Sequence, residues 1–207
     1  MPTLRDMLDR SFRLTFANLS TLFLVVAILA VPLHLAHSFA FRNVIEVSEL
    51  HDEIEAFPSD RTVRDVGPLD LRDYRLSLGV LTVLELGLLL VLVRPTRRVL
   101  SDYQAGKVPT ATSAWTLGFA QRGSYLRALT RKPGPLMASL LVAAAIGFLA
   151  ERAGSLLFQP LGDATAWVGV ALAGAAARSL AAPFLLVTWA LSASETKEGV
   201  SGAPKLY

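Results

Sequence analysis

There is no cysteine among the 207 residues. That excludes disulfides, thiolate metal sites, cysteine nucleophiles and S-acylation, and it leaves the compartment open. Charge is scarce as well: Asp, Glu, Lys and Arg make up 18% of the chain, against about a quarter in an ordinary soluble domain. Recognised catalytic patterns are also missing. The chain contains no Gly-rich phosphate loop, no His-Glu-x-x-His and no Gly-x-Ser-x-Gly. Composition and motif search therefore nominate no catalytic residue, no cofactor and no metal site.

Apolar sequence is what the chain has in quantity. Hydrophobic residues make up 53% of it and the mean hydropathy is +0.47. A hydrocarbon core about 30 Å thick is crossed by roughly 20 apolar helical residues. Residues 19–41, 76–93, 135–158 and 164–193 each supply such a run. Four runs of that length in a chain sized for one domain predict an all-α fold, a polytopic transmembrane helix bundle of about four spans. Small residues on two of them, Ala143, Gly147, Ala150 and Gly154 with Gly169, Ala173 and Ala177, form seams that suit close helix packing in lipid.

Loop charge gives an orientation. Residues 42–75 hold five arginines against nine acidic residues, a net of −4. Residues 94–132 hold eight basic residues against Asp102 alone, a net of +7. Arg5, Arg10 and Arg13 precede the first span, and Lys197 and Lys205 follow the last. An even number of crossings puts these basic segments on one side, which the positive-inside rule makes cytoplasmic. The expectation is a multi-pass protein of the cell membrane with both termini cytoplasmic, an acidic external loop at 42–75 and a cytoplasmic tail at 194–207. A basic start followed by an apolar run and Ser38-Phe39-Ala40 imitates a cleavable signal, but the run exceeds the usual 7–15 residues and favours a retained anchor.

Three segments outside the spans carry further expectations. Residues 1–18 read as an amphipathic helix, with Leu4, Met7, Leu8, Phe12, Thr15 and Phe16 on one face and a capping-box pattern at Thr3 and Asp6. It either lies in the cytoplasmic interface or continues the first span as one long helix. The basic segment 94–134 extends the second span past Pro95, breaks at Gly106–Pro109, and resumes as a helix capped by Thr110 or Thr112 and running through Leu129. Arg5, Arg10, Arg13, Arg122, Arg127, Arg131 and Lys132 are the expected contacts to anionic lipid headgroups, and a nucleic-acid partner is not expected. In the external loop His51, Asp52, Glu53 and Glu55 are close together, yet no zinc or calcium spacing appears, so a solvated cap is expected.

Ionisable residues inside the runs are the candidate sites. Glu85 and Arg178 sit near the middle of the second and fourth spans, and a charge at that depth costs at least about 2.5–3.5 kcal/mol unless it faces protein or water. The two fall at comparable depth once the long arginine stem is allowed for, which predicts a Glu85–Arg178 pair. The pair serves either as a structural pin, the favoured reading, or as the lining of a polar pathway. Glu151 competes for Arg178, and Arg152 snorkels to the interface. His34 and His37 share one face after Pro32. They are expected to bond backbone groups freed by the proline, or interfacial water, rather than to hold a metal or relay protons.

Leu4-Arg5-Asp6-Met7-Leu8-Asp9-Arg10-Ser11-Phe12-Arg13-Leu14 before a Pro-containing span, Tyr103-Gln104-Ala105-Gly106-Lys107 with Ser113-Ala114-Trp115, and Pro183 to Gly199 ending Lys197-Glu198-Gly199 carry a resemblance. Together they resemble the bacterial glycerophosphoryl diester phosphodiesterase membrane-domain family. The resemblance implies a bacterial integral membrane protein. Members of that family usually have more spans, and some carry a phosphodiesterase domain, neither of which is read here, so no enzymatic activity is carried over. The expected function is that of a non-enzymatic scaffold, anchor or accessory subunit of a membrane complex, partnered by the lipid bilayer and by another membrane protein or a homo-oligomer. The alternative is a small transporter or channel subunit with Glu85 and Arg178 lining a polar pathway.

Overall fold

The computed structural model describes residues 3–42, 68–119, 133–158 and 165–201. Among them are six helices and no strand: α1 (Leu4–Ala17), α2 (Leu19–Ala40), α3 (Pro68–Gln104), α4 (Ala111–Gly118), α5 (Pro133–Phe158) and α6 (Ala166–Ser201). Four of these, α2, α3, α5 and α6, are long and apolar enough to cross a membrane. Helices satisfy their own backbone groups, which hydrocarbon cannot do, so long apolar runs become helices there. The chain is a multi-pass helical membrane protein. The expectations for His51, Asp52, Glu53, Glu55, Arg122, Arg127, Arg131 and Lys132, and for the helix as far as Leu129, lie outside the described residues.

Helix limits follow local chemistry. Proline at the first helical position has no orphan N–H to lose, and α3 and α5 open on Pro68 and Pro133. The apolar run of the second span covers residues 76–93, with helix expected onward past Pro95 to the break at Gly106. Helix α3 follows that course at its C-terminal end, and at its start it also takes in the end of the acidic loop, giving 37 residues. It ends at a left-handed glycine, Gly106 at φ 70°, where the Gly106 N–H reaches Tyr103 O and the Lys107 N–H reaches Asp102 O. Those two bonds satisfy the last carbonyls of the helix. Thr110 then caps α4 by accepting from the Ser113 N–H at 3.2 Å. Likewise α6 continues past Ala193 to Ser201, into what was read as tail, giving 36 residues. At 1.5 Å per residue α3 and α6 each measure about 55 Å, well beyond a core about 30 Å thick.

The helices contribute to two compact units. One gathers the described parts of Met1–Val26, Leu88–Gly147 and Ser179–Tyr207. In this unit α1 opens with the expected capping box. The Thr3 side chain accepts from the Asp6 N–H, and the Asp6 carboxylate accepts from the Thr3 N–H at 3.0 Å. These bonds hold the Asp6 carboxyl below its ordinary range, the Thr3 side chain contributing most. Asn18, outside helical geometry, separates α1 from α2, and its side-chain amide donates to Leu14 O at 2.9 Å.

Helix α1 is packed on protein along one flank of its expected face, Met7 and Thr15, joined by Ser11. Met7, Ser11 and Thr15 are buried, while Leu4 and Phe16 are at least half exposed. Thr188 Oγ1 lies 2.9 Å from Ser11 Oγ, Ser192 Oγ lies 4.0 Å from Met7 Sδ, and Phe12 and Phe16 meet Phe184 at ring distances of 5.5 and 5.4 Å. Residue numbers rise on one helix as they fall on the other, so α1 runs antiparallel to the last part of α6. Small hydroxyl residues let the backbones approach, and each hydroxyl also bonds a carbonyl of its own helix. A helix lying flat in the interface would not bury that stripe.

Helix α4 is also docked, burying Ala114 and Gly118, with Gly118 against α3. A Cβ at Gly118 would fall 2.9 Å from Pro95 Cα, so only glycine permits this approach. Asp102 ties the two helices, taking Arg98 Nη2 at 2.9 Å and Arg98 Nε at 3.1 Å, with the Ser113 hydroxyl at 3.4 Å.

The other unit gathers the described parts of Ala27–Gly87 and Phe148–Arg178. Its helices approach at small residues. A Cβ on Gly154 of α5 would lie 2.9 Å from Ala173 Cβ of α6, so part of the small-residue seam forms direct contact. Near one end, Trp167 meets Phe39 at 5.4 Å, and His37, Phe41 and Tyr74 form a ring cluster.

Candidate functional site

The candidate site lies wholly within this second unit. Helix α3 presents Glu85, α6 presents Arg178 and α2 presents His34, each from an otherwise apolar turn. Arg178 Nε stands 2.9 Å from Glu85 Oε2 and 3.0 Å from Oε1, so one N–H is shared between both carboxylate oxygens. His34 Nε2 lies 2.8 Å from Glu85 Oε1. A carboxylate can only accept, so the imidazole hydrogen on Nε2 points at Glu85. Three helices are thereby joined through one carboxylate.

The site is most exposed on the arginine side. Side-chain exposure rises from 9% at His34 and 18% at Glu85 to 40% at Arg178 and 56% at Glu151. Arg178 Nη1 lies 4.0 Å from Glu151 Oε2, an ion pair without a hydrogen bond. Arg178 is therefore flanked by carboxylates from α3 and α5, tightly held by the first and loosely by the second.

Glycine shapes the opposite side. Gly174 stands one turn before Arg178 on α6, and a Cβ there would come within 2.6 Å of His34 Nδ1 and 2.8 Å of Cε1. The bare backbone makes the slot in which the imidazole ring lies. The expectation that His34 would bond proline-freed backbone or interfacial water is corrected, because its Nε2 is taken by Glu85. His37 is corrected in the same way. Its Nε2 lies 2.9 Å from Ser77 Oγ, whose own hydrogen is donated to Tyr74 O. The Glu85 carboxylate is a stronger acceptor than a carbonyl on the same helix, and Ser77 Oγ is free to accept because its hydrogen goes to Tyr74 O.

The remaining nominated residues are not brought into this cluster. Arg152 sits 5.4 Å over the Phe148 ring and is exposed. Arg5, Arg10 and Arg13 are exposed on α1, Arg13 pairing with Asp9 at 3.0 Å. Among the described residues no group of three or more His, Asp or Glu is placed to hold a metal ion. What the cluster can do chemically is hold charge: a carboxylate neutralised by one arginine and oriented by one imidazole. Sequence reasoning missed His34 and Gly174 as members. The available signal was Gly174 at i−4 from Arg178, the position where a glycine leaves room beside the charged residue. In comparison with known proteins, no family model, no curated protein and no solved structure matches this chain.

Proposed function

We propose that the protein is a non-enzymatic scaffold or accessory subunit of a membrane complex, residing in the plasma membrane with both termini and the basic segment 94–134 in the cytoplasm. The observation that supports this is the closure of the Glu85 cluster. Both carboxylate oxygens have donors, and the donors come from two other helices. A satisfied polar group shared by three helices fixes their register and rotation, whereas a conducting site keeps unsatisfied groups along a path. The charge difference between residues 42–75 and 94–132 supports the orientation. The likeness of residues 4–14, 103–107 and 183–199 to the glycerophosphoryl diester phosphodiesterase membrane-domain family supports a bacterial membrane protein of that general type.

A second reading, a small transporter or channel subunit, is favoured by one specific observation: the 40% exposure of Arg178 beside Glu151. Reconstitution into sealed vesicles separates the two. The scaffold reading expects proton, cation and anion fluxes equal to those of protein-free vesicles, for wild type and Glu85→Gln alike. A wild-type flux that Glu85→Gln abolishes would replace it with the transport reading. Reporter fusions at each terminus and at residue 55 test the orientation, and an external terminus would overturn it.

A further inference from the structure

The Arg178 guanidinium carries an unmet demand. Arg178 stands 11 residues inside the Trp167 end of its candidate span and 15 from the Ala193 end. Its stem leans towards the N-terminal end of the helix, so the head remains well inside an apolar segment. There it is 40% exposed, with Nε on Glu85 and Nη1 no nearer than 4.0 Å to Glu151. No hydrogen bond from Nη1 or Nη2 is formed among the described residues, and the Glu151 carboxylate accepts none. Lipid tails satisfy neither group. Helices α3 and α5 are little covered along their length: 17% and 22% of their apolar stretches are buried, against 61% for α6.

We propose that a second copy of this chain covers this face, and that Glu151 and Arg178 of the two copies pair reciprocally. The argument is self-complementarity. Each copy offers one under-used acceptor, Glu151, and one under-used donor, Arg178, only 4.0 Å apart. A two-fold axis passing between them sets the arginine of each copy against the glutamate of the other and meets both demands twice. A cationic partner helix would satisfy Glu151 alone, and an acidic one Arg178 alone. Leu86 on α3 and Phe148 on α5, each more than half exposed, supply apolar contact around the charges. The inference deepens the scaffold reading by naming its first partner.

The native chain has no cysteine, so one introduced thiol forms disulfides only between copies. Phe148→Cys lies within about 60° of Glu151 around α5, and the exposed Ala153→Cys lies on the far flank. Full-length protein in phospholipid vesicles is oxidised across a range of protein-to-lipid ratios. The expected result is a cross-linked dimer at position 148 and at least fivefold less at 153. Adding Glu151→Gln should weaken association at least tenfold by energy transfer between labelled copies, with Glu151→Asp restoring part of it. Glu151→Gln leaves the Glu85–Arg178 bonds in place, and unchanged helicity checks that it folds. Equal cross-linking at both positions, a monomer at every ratio, an unaffected Glu151→Gln dimer, or labelling of the Phe148→Cys variant in the bilayer by a water-soluble thiol reagent would each overturn the proposal. None of these bears on the flux measurement, so failure here and failure of the scaffold reading are told apart.

Discussion

Replacing Arg178 by methionine keeps an unbranched stem and removes the charge, leaving Glu85 with His34 as its partner among the described residues. Glu85 is 18% exposed and loses both contacts to Arg178 Nε. A carboxylate at bilayer depth costs about 2.5–3.5 kcal/mol on insertion scales, and the remaining His34 bond lowers the net to about 2 kcal/mol. Glu85→Leu strands the arginine instead, at about 2 kcal/mol for the same reason. The bond is a single N–H shared by two oxygens, not an end-on fork of two, so its coupling belongs near the roughly 1–1.7 kcal/mol upper range of membrane polar pairs. The Glu85→Leu/Arg178→Met double variant should therefore cost about 2.5–3 kcal/mol. Reversible unfolding in bicelles by steric trapping measures all three. A double variant equal to the sum of the singles within about 0.5 kcal/mol would refute the coupling.

Three further expectations come from other places in the fold. Gly174→Ala puts a Cβ 2.6 Å from His34 Nδ1 and should cost about 1–3 kcal/mol as overpacking; in a His34→Ala background the same change should cost less than half as much in the same unfolding assay. Gly118→Ala meets the Pro95 backbone at 2.9 Å, where no side chain can swing aside, so a similar cost of about 1–3 kcal/mol should appear and trimming neighbouring side chains should not relieve it. The folded Asp6 carboxyl titrates below its ordinary value of 3.8 because Thr3 bonds the charged form, so its contribution to the α1 cap is full above that value and is lost as pH falls through the lowered one. Amide exchange at residues 4–7 should quicken over that acid range, and Thr3→Ala should raise the Asp6 midpoint as followed by NMR.

Span number and the Glu85–Arg178 juxtaposition were legible because both depend on distance along single helices. Run length gives the spans, and equal depth gives the pair. Rotation of one helix against another was not legible, and it decides the rest. His34 belongs to the cluster because α2 turns that face to α3 and because Gly174 leaves a slot, neither of which is written in periodicity. The packed face of α1 was legible in part. Its pattern includes Met7 and Thr15, which are buried, and Phe12 and Phe16, which reach Phe184 of α6. Ser11 lies outside that pattern and is buried because a small hydroxyl lets the backbones close. The start of α3 and the end of α6 reach beyond the apolar runs because hydropathy marks where hydrocarbon stops, not where a helix does. The break at Gly106 was legible as a glycine signal, and the start at Pro68 was not.

The docking of α1 onto α6 also has a history in time. Ser11 meets Thr188 across 177 positions of the chain, and Met7 meets Ser192 across 185. A ribosome adding about 5–20 residues per second completes that interval in roughly 10–35 s. Throughout it the first helix exists without the surface it will bury, although its neighbour α2 is already made. Met7, Ser11 and Thr15, buried in the finished fold, lack their cover from α6 meanwhile. Closure of the N-terminal helix is thus among the last events of assembly, and a chain interrupted before Thr188 would keep that helix waiting indefinitely.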